Sequence, residues 1–191
     1  MHIPINPKMF YYGFPVVLLT SVDNQGKTNI SPISSSWCLG DNVVIGLGVQ
    51  GKAYQNIQHC PEVVLNIASE NLWQNVEKIA PFTGNMQAVN EQYQFCDDKF
   101  ALAGLTAEPS FKVKPQKITE CPLQAEAEVV NIINRDGYAI VELKILQVHA
   151  AEGLVFDKDK IDPTLWQPLI YNFRHYQGLG EMLGKNFRAE K

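Results

Sequence analysis

LQAEAEVVNIINRDGYAIVELKIL, residues 123–146, has the pattern of a long β-hairpin. Leu123, Ala125, Ala127 and Val129 alternate with Gln124, Glu126 and Glu128, the period-two spacing of a strand with one buried face. Asp136-Gly137 supplies the turn, because glycine accepts the positive φ that tight hairpins require. Ala139, Val141, Leu143 and Ile145 resume the alternation on the return. The phase slips at Val129-Val130 and at Ile145-Leu146, where two apolar residues adjoin. A bulged, strongly curved sheet produces such slips.

Upstream, the same reading yields more strands. Val16 to Val22 (VVLLTSV) is apolar and β-branched, and Asp23 to Gly26 is a turn. Lys27 to Ile33 returns as its partner, with Pro32 marking an edge or a bulge because it has no amide to donate. Val43 to Val49 and Glu62 to Ala68 read as buried strands, separated by a short helix over Lys52 to Gln58. Ser69 is a candidate N-cap for a helix through Ile79, with Leu72, Val76 and Ile79 on one face. Residues 81–115 are irregular, with Phe100, Leu102 and Leu105 as anchors; Lys99 is in reach of a ligand from this excursion, and exposure is its plainer reading. The tail from Asp162 carries Trp166, Tyr171, Phe173 and Tyr176, rings that must cover either this subunit or a second one. Few helices, many curved strands and no βαβ rhythm predict a mainly β chain built as a small antiparallel barrel.

Two segments carry the chemistry. Asn29-Ile30-Ser31-Pro32-Ile33-Ser34-Ser35-Ser36-Trp37 sets four hydroxyls and an indole between apolar strands. Buried unpaired, each hydroxyl costs roughly 1–3 kcal/mol, so water or a polar ligand must satisfy them. Gln50-Gly51-Lys52 then places a glycine and a cation at a helix start, where free amides add partial positive charge. Together these segments read as a phosphate receptor. The plainer alternative for each is an exposed polar loop, a solvated lysine and a packed tryptophan.

The gross numbers narrow the function. The 191 residues suit one domain. With 16 basic against 20 acidic residues the net charge is −4, and no basic run offers a nucleic-acid surface. Charged residues make up 19%, below the ~25% of typical soluble domains, which suggests a face covered by another subunit. No apolar run approaches the ~18 residues of a membrane span. The start Met1-His2-Ile3-Pro4 lacks a secretion signal, so the expected location is cytoplasmic. Cys38, Cys60, Cys96 and Cys121 are widely spaced, giving free thiols rather than a disulfide scaffold, and His59-Cys60 alone makes no metal site. Gly178 to Gly184 lacks the dinucleotide fingerprint spacing, and no serine sits in a nucleophile elbow.

The ordered set PVVLLTS (Pro15 to Ser21), NISPISSSW (residues 29–37), VVIGL, K-x-x-x-N-I, VVLNI, a Glu-rich strand after Pro122 and a terminal Tyr-x-x-x-Gly resembles a known family. It is similar to the flavin reductase-like, FMN-binding split-barrel family, in particular its flavoredoxin-like branch, from about Pro15 to Gly184. The resemblance implies a single split-barrel domain over residues 1–191, six-stranded, antiparallel and Greek-key-like, with a few short helices. It implies a homodimer with one FMN near the subunit interface. Carried over by position, Asn29, Ser31, Ser34, Ser35, Ser36, Gln50, Gly51, Lys52 and Asn56 would hold the phosphate and ribityl chain, with Trp37 beside the flavin. Where many members have Thr, this chain has Ala53, one hydroxyl donor fewer. The implied activity is a flavin reductase passing hydride from NADH or NADPH to the flavin, with no catalytic acid or base. The alternatives are an electron-transfer protein that serves redox protein partners and a non-enzymatic flavin-binding module.

Overall fold

The computed structural model describes residues 1–189. Strand β1 (Tyr12–Pro15) leads into β2 (Val17–Val22), which turns through Asp23 to Gly26 into β3 (Thr28–Ile33). Only Ser34 and Ser35 separate β3 from β4 (Ser36–Leu39), and β4 turns directly into β5 (Asn42–Gly48). Helix α1 (Lys52–Ile57), strand β6 (Glu62–Ile67) and helix α2 (Trp73–Ile79) follow. The next stretch holds a parallel pair, β7 (Phe82–Thr83) and β8 (Gln94–Phe95), then helix α3 (Lys99–Ala103) and an antiparallel pair, β9 (Ala107–Glu108) and β10 (Lys117–Ile118). The long hairpin is β11 (Leu123–Asn134) with β12 (Tyr138–Ala150). The chain ends through β13 (Val155–Phe156), β14 (Lys160–Ile161), β15 (Ile170–Asn172) and β16 (His175–Gln177).

Seven strands form one antiparallel sheet in the order β3-β2-β6-β11-β12-β5-β4. Its two outermost strands are consecutive in the chain. Laid flat, they would lie about 29 Å apart at the usual strand spacing, whereas the two-serine link reaches only about 10 Å. The sheet therefore rolls into a barrel with a split where β3 and β4 part. The fold is the split barrel expected, with one strand more than six. The extra strand is β4, only four residues long and preceded by serines that give no alternation to read. Pro32 sits on the edge strand β3, as its missing amide requires.

Alternation sorts the core into two layers. Val17, Leu19, Val43, Ile45, Leu65, Ala127, Val141 and Leu143 fill the barrel, and Ala53 and Ile57 of α1 plug one end. Outside it, Val16, Leu18 and Ile30 pack under Val76, Ile79, Ala103, Leu105 and Leu169. Strand β2 is consequently buried on both faces. The hairpin bulges where its phase slips: Val130 is skipped between Val129↔Leu143 and Asn131↔Glu142, and Leu146 between Glu126↔Gln147 and Ala127↔Ile145. Leu105 is buried in the outer layer, and Phe100 and Leu102 lie against it, the anchoring role expected of them. The helix expected after Ser69 is split into a 3-10 turn (Glu70–Leu72) and α2, and the Ser69 hydroxyl bonds the Asn71 side chain rather than capping. All four cysteines are free. Among the described residues, no helix is long and apolar enough to cross a membrane.

One departure from the pattern is informative. The polar face of β11 was expected in water, yet Gln124 is buried and Glu126 is 0% exposed, because residues 106–118 lie over them. The Glu126 carboxylate accepts bonds from the amides of Phe111 (2.9 and 3.1 Å) and Lys112 (2.5 Å), and lies 2.7 Å from His149 Nε2. Asn66, also fully buried, accepts from the Ile118 amide at 2.9 Å and donates to the Leu18 carbonyl at 2.9 Å. Burial opposes the Glu126 charge, but the Phe111 and Lys112 amides and His149 outweigh it and hold the pKa below the ordinary carboxylate value. A depressed carboxylate pKa stabilises the fold above the unfolded-chain value of 4.5, and that contribution disappears as pH falls through the folded-state value. Glu126→Gln should cost roughly 2–4 kcal/mol in urea unfolding at pH 7 and flatten the loss of stability below pH 4.5.

Candidate functional site

The split holds a cleft of about 560 Å³, within the ~300–1,000 Å³ usual for small-molecule sites. Ser31, Ser34 and Ser35 enter it from β3 and the link, and Gln50, Gly51 and Lys52 from the start of α1. Tyr171 and Tyr176 of the β15–β16 hairpin close one wall, and Met9 and Tyr11 of the N-terminal segment add to the lining. Tyr11 Oη lies 3.1 Å from Ser35 Oγ, which ties that segment to the serine link.

Close approach is built into the backbone. A Cβ on Gly46 would lie 3.1 Å from Ser35 Cβ, and the Gly46 amide donates to the Ser35 carbonyl at 2.9 Å. A Cβ on Gly84 would fall 2.5 Å from Asn29 Oδ1 and 3.1 Å from Lys52 Cγ, so glycine there lets residues 82–85 press against both. Asn85, buried beside it, donates to the Gln50 carbonyl at 2.7 Å and steadies the turn into α1.

Of the ten residues singled out in the sequence, six line the cleft: Ser31, Ser34, Ser35, Gln50, Gly51 and Lys52. The other four do not. Asn29 donates to Ser31 Oγ at 3.0 Å and orients that hydroxyl from behind. Asn56 is 2% exposed and donates to Ser21 Oγ at 3.0 Å, a core bond that fastens α1 to β2. Ser36 pairs with Ile45 in β4. Trp37, expected beside the ligand, is 59% exposed opposite Val44, because strand alternation turns it to the outside of the barrel.

For Lys99 the structure favours the alternative that the sequence ranks second. Read as exposed, it is 5% exposed and lines the cleft. Asp98 caps α3 by accepting from the Ala101 amide at 3.0 Å, and this turns Lys99 and Ala103 inward together. The ammonium donates to the Ile30 carbonyl at 2.9 Å, and among the described residues no carboxylate pairs with it. Burial pulls its pKa down from 10.5 to about 8. Lys52, by contrast, shares its charge with Asp23 at 3.8 Å. The lining thus contains two lysines and no carboxylate, imidazole or thiol. Such a lining suits an anion attached to an apolar body.

A profile described as the flavin reductase-like domain matches residues 9–180. An uncharacterized protein of Bacillus subtilis, YdfE, is 45% identical over 193 residues, covering 97% of this chain and 93% of that protein. Among solved structures, flavoredoxin of Desulfovibrio vulgaris (Miyazaki F) superimposes with a TM-score of 0.83 at 21% identity, covering 100% of both chains. Flavoredoxin from Methanosarcina acetivorans gives 0.81 at 18% identity, over 98% of this chain and 96% of that one. At these identities the two solved structures establish the fold alone.

Because Lys99 loses its proton near pH 8, affinity for a phosphorylated ligand should fall between pH 7 and pH 9. With FMN as the probe in fluorescence titrations, Lys99→Ala should weaken binding by at least about tenfold at pH 7. Lys99→Arg, which keeps its charge, should remove the pH dependence.

Proposed function

The chain belongs to the flavin reductase-like domain family, and we propose that it is an FMN-dependent oxidoreductase drawing electrons from NADH or NADPH. The observation that carries this reading is the charge pattern of the cleft: two cations and no anion, within a protein of net charge −4. FMN has a nearly dianionic phosphate at pH 7, a hydroxylated ribityl chain and a flat aromatic ring. Lys52, Gly51, Ser34 and Ser35 would receive the phosphate and ribityl oxygens, with Lys99 as a second cation. Tyr171 and Tyr176 would pack against the ring, each aromatic contact adding about 0.5–1.5 kcal/mol beyond the area buried. Ala53, 2% exposed in the lining, gives the cleft an apolar contact where a hydroxyl would have donated.

When bound, the flavin itself supplies the electron-accepting chemistry. The protein has to orient the two rings and keep water out. A lining without carboxylate or imidazole suits that division of labour, since no side chain need shuttle a proton.

The reading extends to a homodimer. Trp37 and Leu39 stand exposed on the outer face of the barrel, in register with Val44 and Asn42 of β5. A second copy of the chain seated there would cover an apolar face in a protein whose surface is thinly charged.

Anaerobic titration of the FMN-loaded protein tests the activity. Bleaching of the flavin bands by NADH or NADPH is expected. Bleaching only by a reduced protein donor would favour an electron carrier between proteins, as the name flavoredoxin suggests for the solved relatives, and bleaching by neither would leave a flavin-binding module. A colourless protein that refuses added FMN would sink all three. For the dimer, Trp37→Glu should convert the species seen in sedimentation velocity from dimer to monomer while FMN affinity per chain is measured in parallel.

A further inference from the structure

We propose that Arg174 binds a phosphate of the nicotinamide dinucleotide, so that the β15–β16 hairpin selects the electron donor as well as walling the cleft. The inference rests on the reductase reading and adds to it the residue that recognises the donor. It begins with the hairpin tip. The two strands are joined by Phe173 and Arg174 alone, with φ of 44° and 68°. Both lie in the left-handed region that residues bearing a Cβ avoid, so the turn has to be held in place from outside. It is held: the Phe173 amide donates to the Tyr11 carbonyl at 2.7 Å, and the Phe10 ring meets Phe173 edge-on at 6.3 Å.

The turn sets the guanidinium against Met9, a residue of the cleft lining, although Arg174 itself does not line the cleft. Arg174 Nε and Nη2 lie 3.3 and 3.1 Å from the sulfur of Met9. A thioether is a weak, neutral acceptor. Among the described residues no carboxylate forms a salt bridge with Arg174, although the protein carries an excess of acidic groups. The planar fork thus sits on an exposed residue, held only by a weak neutral acceptor among the described residues. Such a fork matches a phosphate with two parallel N–H bonds.

The rest of the tip suits the other half of a dinucleotide. Phe10, Tyr12 and Phe173 are exposed rings grouped beside the arginine, with Phe10 5.1 Å from Tyr12. A nicotinamide reaching the interior must leave its adenosine half outside, and these rings offer a surface against which a purine can stack. Two phosphates could meet the fork, the 2′-phosphate peculiar to NADPH or the pyrophosphate common to both donors.

Isothermal titration of the FMN-loaded protein with NADP⁺ and with NAD⁺, neither of which can reduce the flavin, separates these outcomes. Loss of at least about tenfold in NADP⁺ affinity in Arg174→Ala, with NAD⁺ unchanged, supports the inference and identifies the 2′-phosphate. An equal loss for both nucleotides supports it and identifies the pyrophosphate. Unchanged affinity for both overturns it. The FMN absorbance spectrum of each variant checks that the cleft is intact, and Arg174→Lys, a point charge without the fork, should recover only part of the affinity. If the wild-type flavin is bleached by NADH or NADPH while Arg174→Ala leaves both titrations unchanged, this inference fails and the reductase reading stands. If the wild type binds neither nucleotide and is bleached by neither, the reductase reading fails and takes the inference with it.

Discussion

Two residues, Ser34 and Ser35, join the opposite edges of a seven-stranded sheet, and the rest of the molecule follows from that short link. A flat sheet cannot satisfy it, so the strands curl, and the bulges at Val130 and Leu146 supply the bending in the longest pair. The seam is tight enough that a Cβ at position 46 would lie only 3.1 Å from Ser35 Cβ, so a side chain there would push the link outward. Where the seam opens, hydroxyls that no barrel interior would tolerate face a cleft instead. The polar residues of the site are therefore a by-product of closing the barrel, placed by the topology.

A second layer of packing gives this opening its walls. The chain from residue 81 to 122 lies over the outside of the sheet and is fastened by buried polar anchors, Asn66 to the Ile118 amide and Glu126 to the amides of Phe111 and Lys112. α2, α3 and the β15–β16 hairpin share one apolar cluster. Four residues of these elements, Val76, Lys99, Tyr171 and Tyr176, also face the cleft. Outer-layer stability and cleft shape are thus coupled through the same side chains.

The sequence made much of this legible because the signals are local. Period-two alternation identified which residues of β11 and β12 face the barrel, and doubled apolar residues located both bulges. The serine run and Gly51-Lys52 identified one side of the cleft. What escaped depends on contacts distant along the chain. Lys99 follows two aspartates and reads as a solvated lysine, yet its bonding partner Ile30 lies 69 residues away. Its one local clue was the four-residue spacing to Ala103, an inward-facing helical pair. Glu126 looked like a solvent-side residue because the amides that claim its carboxylate belong to an irregular segment. Trp37 lies outside the lining for a different reason: the strand that turns it outward is four residues long and follows directly on the serines.

The split leaves two strand edges, β3 and β4, with backbone groups that no sheet neighbour takes up. Unguarded edges of this kind template the addition of foreign strands and hence fibril growth. Pro32 withholds one amide from such a visitor. Rolling the sheet also turns the two edges toward each other across a narrow gap, so an incoming strand meets a cleft rather than an open flank. A ligand occupying the gap would therefore also shield these two edges from the strands of a second chain.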